Sequence, residues 1–182
     1  RYIDWKVFGR TDKYYIKEFE QESNLNLLLV VDCSESMNYR SSDELMTKHD
    51  YATAAAGALA YLTIRQQDAV GLALFDEQLN HYVRPANNAH QWRTIIEELA
   101  GKTGPKKTSI GRVLGKLAER LTHRTIIVVL SDLFDDIDSF LMGIKQLRYR
   151  RHEIIVWNIL DPAELTLSFA GPVLFEGLES EG

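Results

Sequence analysis

The chain has 182 residues, 45% of them hydrophobic and 26% charged, with a formal net charge of −5. That length suffices for one domain with a substantial core, the charge gives no global basic field to attract nucleic acid, and the longest apolar runs, "LLLVV" and "TIIVVL", are far too short to cross a bilayer. The single cysteine, Cys33, excludes an internal disulfide and fits a reducing cytoplasm.

No signal peptide is visible. The chain begins at Arg1 in a segment that already reads as structured ("RYIDWKVFGR"), so a piece of a longer protein is expected, one that could carry a membrane anchor upstream. Residues 1–24 are expected to form an N-terminal extension containing an edge strand, "YYIKEFE" (Tyr14 to Glu20), and residues 25–182 the main domain. "LNLLLVV" (Leu25 to Val31) is near-continuously apolar, the pattern of a strand buried on both faces. The Ala-rich stretch from His49 to Gln67 reads as a helix, with Ala52, Ala55, Leu59 and Leu62 near helical spacing. "VGLALF" (Val70 to Phe75) is a second buried strand, and "DEQ" turns it into an antiparallel partner, "LNHYVR". Gln91 to Ala100 places Trp92, Ile95, Ile96 and Leu99 on one face of a helix. Beyond the loop "GKTGPKKTS", Ile110, Val113, Leu114, Leu117 and Leu121 mark an amphipathic helix. "TIIVVLS" (Thr125 to Ser131) is a strand, "SFLMGIKQLRYR" a helix, "EIIVWNIL" (Glu153 to Leu160) a strand and "PVLF" a last short one; the tail "EGLESEG" is acidic and loose. Alternating strands and helices predict an α/β three-layer fold with a mostly parallel, doubly wound, Rossmann-like sheet.

Such sheets bind ligands beyond the carboxyl ends of their strands, where strand order reverses. After Val31 comes "DCSES", with Asp32, Ser34 and Ser36; after Leu130 comes "SDLFDDID", with Asp132; Thr108 and Ser109 sit in the loop opening the helix between. If the two strands are neighbours, Asp32 and Asp132 meet at one edge. Hard oxygens converging there suit Mg2+, with Mn2+ or Ca2+ as alternatives. Neutral hydroxyl donors leave the ion short of negative charge, so it should take one more carboxylate from outside.

At these residues the chain resembles a known family. "DCSESM" is similar to the D-x-S-x-S motif of von Willebrand factor A domains, "TSIGRVL" to their threonine segment and "LSDLFDD" to the segment of their distal aspartate. The resemblance is closer still to the bacterial branch called domain of unknown function 58, through "IDWKVFGRTDKYYIKEFE", "QQDAVGLALFD" and "RHEIIVWNILDPAEL", and it covers nearly the whole chain. It implies a von Willebrand A-like fold for residues 25–182, and a metal-ion-dependent adhesion site in which Asp32, Ser34, Ser36, Thr108 and Asp132 hold the ion directly or through water. It also implies a MoxR-type AAA+ ATPase as partner, with a role in assembling or maturing other proteins. The loop before Thr108 departs from the family by reading "GPKK" where relatives often carry paired glycines, which leaves Thr108 and Ser109 as alternative ligands.

Other chemistries fit less well. "GKTGPKKT" lacks the second glycine of a phosphate-binding loop and follows a helix instead of a strand, so ATP binding there is rejected. Ser34 replaces the second aspartate of D-x-D phosphotransferases, no G-x-S-x-G elbow surrounds either serine, and the histidines lack zinc-ligand spacing. The expectation is a non-enzymatic, divalent-cation-dependent protein-binding module, with a metal-dependent hydrolase or phosphotransferase using the same carboxylates as the alternative. Several residues have plainer roles. Asp135, Asp136 and Asp138 read as a solvated loop with a helix cap at Asp138 or Ser139, Glu35 as a rim residue, Cys33 as a small buried side chain, Arg148 to His152 as helix-terminal charge, and Trp92 and Trp157 as core.

Overall fold

The computed structural model describes residues 25–101 and 107–167, together with the backbone of two short strands, β1 (Tyr2–Ile3) and β2 (Ile16–Lys17). These two pair antiparallel in a sheet of their own, so the described part of the expected edge strand pairs with Tyr2–Ile3 and not with the main sheet. The expected strand "PVLF" and the acidic tail lie outside the described residues.

The main sheet has five strands: β3 (Asn26–Asp32), β4 (Ala69–Phe75), β5 (Leu79–Ala86), β6 (Ile126–Ser131) and β7 (Glu153–Asn158), in the order β5-β4-β3-β6-β7. All neighbours are parallel except β4 and β5, which form the expected antiparallel hairpin. The helices are α1 (Lys48–Arg65), α2 (Gln91–Leu99), α3 (Ile110–Arg120), α4 (Ile137–Tyr149) and the short α5 (Pro162–Thr166).

Side-chain alternation along the central strand sorts the helices into layers. Leu27, Leu29 and Val31 of β3 face Ala52, Ala56 and Ala60 of α1 with Ile95 and Leu99 of α2. Leu28 and Val30 face the other way, onto Val113, Leu114 and Leu117 of α3 and Leu147 of α4. Small side chains on α1 bring that helix close to the sheet. The chain therefore leaves β3 in one direction for α1 and β4, then crosses to the opposite side for β6, which pairs with the other edge of β3. The reversal point lies at the carboxyl ends of β3 and β6.

Outside the core, two expectations fail. Trp92 and Trp157 are 41% and 39% exposed. Trp157 sits on β7, the edge strand, and Trp92 lies off the buried stripe of α2, with its ring edge-on to Tyr61 at 6.0 Å between centroids. The cap of α4 is Asp136, not Asp138 or Ser139: its carboxylate accepts from the Ser139 amide at 2.8 Å, so the helix begins at Ile137, two residues before the Ser139 at which its sequence pattern starts. Among the described residues no helix is long and apolar enough to cross a membrane.

Helices α3 and α4 touch backbone to backbone at glycines. A Cβ on Gly143 would stand 2.8 Å from the Leu114 Cβ and 2.9 Å from the Gly111 carbonyl oxygen, and one on Gly111 would overlap the Ser139 backbone. Gly111→Ala is expected to lower unfolding free energy by about 1–3 kcal/mol, because neither backbone can withdraw from a packed interface; urea denaturation followed by circular dichroism measures it. His152 gives a second expectation. It is buried between α4 and β7, with neither ring nitrogen hydrogen-bonded among the described residues, and burial, then the nearby Arg150 charge, holds its pKa below the ordinary histidine value. Since the unfolded chain takes up this proton first as pH falls, the folded state loses stability from roughly pH 6.5 downward. His152→Phe should shallow the loss of urea midpoint between pH 7 and 5.

Candidate functional site

Asp32 is the last residue of β3, between β4 and β6, and is fully buried. Its Oδ1 accepts from the Ser34 amide at 2.9 Å. Its Oδ2 accepts from the Ser131 hydroxyl at 2.6 Å and from the Thr108 hydroxyl at 3.2 Å. Among the described residues no cation pairs with it. Burial pushes the Asp32 pKa up, the hydrogen bonds from Ser131 and Ser34 oppose this, and the charge of Asp132 adds to the rise. A carboxylate so placed is costly unless a positive charge joins it.

Each neighbour is held by local chain geometry. Beyond Asp32 the backbone enters a single 3-10 turn, Glu35–Asn38, with Ser34 as its cap residue. That turn brings the hydroxyls of Ser34 and Ser36, both buried, to 3.1 Å from each other. Thr108 is fixed by the two residues after it: the Ser109 amide donates to the Asp76 carbonyl at 3.1 Å, and the Ile110 amide to the Asp135 carboxylate at 2.7 Å. Asp135, expected as a solvated loop residue, thus caps α3 from another element. Of the two alternatives Thr108 and Ser109, it is the Thr108 hydroxyl that reaches Asp32.

Ser131 carries no motif that marks it in the sequence. It closes β6, and its Oγ accepts from the Leu133 amide at 2.9 Å, which leaves its hydroxyl proton for Asp32. Leu133 has φ 60, in the left-handed region, an arrangement costing a non-glycine residue on the order of 1–3 kcal/mol. The Ser131–Leu133 bond helps hold that turn.

Asp132 is the next residue. Its side chain is 4% exposed; Oδ1 accepts from the Phe134 amide at 3.2 Å and Oδ2 from Lys48 Nζ at 2.8 Å. The same ammonium donates to Glu164 Oε1 at 2.8 Å. Burial pulls the Lys48 pKa down, but its bonds to Asp132 and Glu164 outweigh that and hold it above the ordinary lysine value. Lys48 and Glu164 likewise belong to no motif in the sequence. Glu164 is part of a capping box on α5, in which Asp161 accepts from the Ala163 amide and Glu164 from the Asp161 amide. Asp161 further accepts from the Ser41 amide at 3.0 Å, which ties the loop after the serines to this corner.

All five expected residues thus gather around the carboxyl ends of β3 and β6. The donor set is hard oxygen throughout, of the kind that suits Mg2+, Mn2+ or Ca2+. It is also rich in hydroxyls: among the described residues no group of three or more His, Cys, Asp or Glu side chains is placed to hold a metal. His49 lies close by, with Nδ1 3.4 Å from the Asp32 backbone oxygen and Nε2 3.4 Å from the Thr53 hydroxyl. Cys33 is buried and hydrogen-bonded through its amide to the Phe75 carbonyl. Burial, then the Asp32 charge, pushes its thiol pKa up to about 12, which keeps it protonated near neutral pH.

Fold and cluster together define an α/β domain whose mostly parallel five-stranded sheet carries a buried carboxylate–hydroxyl cluster at its carboxyl edge. The chain belongs to the family described as protein of unknown function DUF58, which matches residues 1–182. Uncharacterised proteins of Mycobacterium tuberculosis and Mycobacterium bovis are 24% identical to it over 185 residues, covering 99% of this chain and 56% of theirs. The chain therefore spans about half the length of these relatives. Among solved structures, the conserved hypothetical protein BatB of Bacteroides thetaiotaomicron superposes with a TM-score of 0.61 at 14% identity, over 72% of this chain and 65% of that one. An aerotolerance-related membrane protein of Bacteroides fragilis gives 0.60 at 16% identity, over 72% and 66%. At such identities the likeness is one of fold.

Ser131→Ala removes the shortest hydrogen bond to a buried carboxylate and also frees the Leu133 amide. It is expected to cost about 2 kcal/mol of stability while leaving the far-ultraviolet circular dichroism spectrum native; Ser109→Ala, which loses no bond to Asp32, should cost less than about 1 kcal/mol.

Proposed function

We propose that the cluster is a divalent-cation site and that the domain is a von Willebrand A-like, non-catalytic module that binds another protein through the ion. Mg2+ is the natural occupant, with Mn2+ or Ca2+ able to substitute. Asp32, Ser34, Ser36, Thr108 and Asp132 would hold it directly or through water. The observation that carries this is Asp32: a fully buried carboxylate, ringed by hydroxyls, with no cationic partner among the described residues.

Two carboxylates and three hydroxyls only partly neutralise a divalent ion once Lys48 is counted beside them. An Asp or Glu side chain from a partner completes both the charge and the coordination. The partner class suggested by the family resemblance is a MoxR-type AAA+ ATPase, and the process the assembly or maturation of other proteins. The alternative, a metal-dependent hydrolase or phosphotransferase, is disfavoured by the position of His49. Its ring nitrogens face the Asp32 backbone oxygen and Thr53, not the cluster, so it offers no general base to a bound substrate.

Capture of a MoxR-type ATPase by the immobilised full-length protein tests this. Capture should occur in millimolar Mg2+ and drop at least about tenfold with chelator or in Asp32→Ala. Equal capture under all three conditions overturns the proposal.

A further inference from the structure

Lys48 is the first residue of α1, a position where the helix dipole disfavours a cation. It is nevertheless 5% exposed, and its ammonium is clamped at 2.8 Å by both Asp132, 4% exposed, and Glu164, 34% exposed. The aromatic ring of Tyr39 closes over it, with the ring centroid 5.6 Å from Nζ. The needs of the helix do not explain a lysine here; the needs of Asp132 do. This aspartate sits close enough to Asp32 for its charge to raise the Asp32 pKa, so two buried carboxylates share one corner and, among the described residues, only Asp132 has a cation.

Resting on the cation-site reading above, we propose that Lys48 is a built-in rival of the divalent ion for Asp132, and that it keeps ion affinity low until a partner's carboxylate joins the site. The ammonium fills one oxygen of Asp132 with a unit positive charge. An ion approaching that carboxylate must displace the contact or share it, and meets repulsion from a cation that cannot leave, because Glu164 still holds it. Glu164 is the second half of the device. It gives the ammonium a place to remain when Asp132 turns to the ion, so the competition works by charge and needs no movement of α1. An incoming carboxylate then has two cations to neutralise, the ion and Lys48, and its binding and that of the ion reinforce one another by linkage.

The test is titration of the protein with Mn2+ alone, followed by electron paramagnetic resonance of free Mn2+, with thermal melting measured alongside. Lys48→Met removes the rival but strands Glu164 and Asp132. The double variant Lys48→Met/Glu164→Gln removes the rival and its second holder together, which protects the fold. In both, the Mn2+ dissociation constant is expected to fall at least about tenfold relative to wild type, as removal of a nearby like charge requires, even where the melting temperature drops. A lysine that merely supports the structure would lower the melting temperature and leave the dissociation constant unchanged or higher; that result in both variants overturns the proposal. Asp32→Ala separates this from failure of the site itself. If neither wild type nor either Lys48 variant binds Mn2+, or Lys48→Met loses no Mn2+ affinity when Asp32→Ala is added to it, the cation site is wrong and the rivalry falls with it.

Discussion

The Asp32 carboxylate, fully buried at the end of the central strand, is the constraint on which the rest of the site depends. A charge cannot remain there unless donors surround it, and those donors come from three separate parts of the chain: the Ser34 amide, the Thr108 hydroxyl and the Ser131 hydroxyl. Each is delivered by a strand end or a helix start, and so by the sheet topology itself. Because β3 lies between β4 and β6, the loops after all of these strands converge on one point. The Asp76 carbonyl beyond β4 steers Ser109, and Asp135 beyond β6 caps α3. Ser109 and Ile110, the two residues after Thr108, are therefore pinned from both sides.

A second layer of charge surrounds the first. Asp132, Lys48 and Glu164 form a chain of ion pairs from the cluster rim to α5. Asp161 and Glu164 cap that short helix, and Asp161 also binds the amide of Ser41. The loop following the D-x-S-x-S segment is in this way connected to the last described helix through side chains that share one corner. A change of charge at Asp132 would be felt by Lys48 and Glu164 before any backbone moved.

Much of this was legible in the sequence because burial leaves a periodic trace. The continuous apolar runs at 27–31 and 126–130 read as strands covered on both faces, and the oxygen-bearing residues directly after them marked the edge where the carboxylate–hydroxyl cluster forms. What escaped is what periodicity does not encode. Lys48 is 84 positions from Asp132 along the chain, and its one local signal was a cation at a helix start, where the dipole is unfavourable. Ser131 read as the polar end of a strand; a hydroxyl closing an otherwise apolar run was the available clue. Asp135 looked like one solvated acid among several because a cap supplied to a distant helix has no sequence spacing. The tryptophans misled for a different reason: their hydrophobicity suggested core, whereas an edge strand and the outer side of α2 leave large aromatics half covered.

The central claim is that these oxygens converge on a divalent ion. Crystals grown with Mn2+ and measured at a wavelength where manganese scatters anomalously test it most directly. The account predicts a peak roughly 2–2.5 Å from oxygens of Ser34, Ser36 or Thr108, with Asp32 and Asp132 in direct or water-mediated contact and one coordination position facing solvent or a foreign carboxylate. Anomalous density absent from the cluster at saturating Mn2+, with the Ser131–Asp32 and Lys48–Asp132 bonds unchanged, would contradict it.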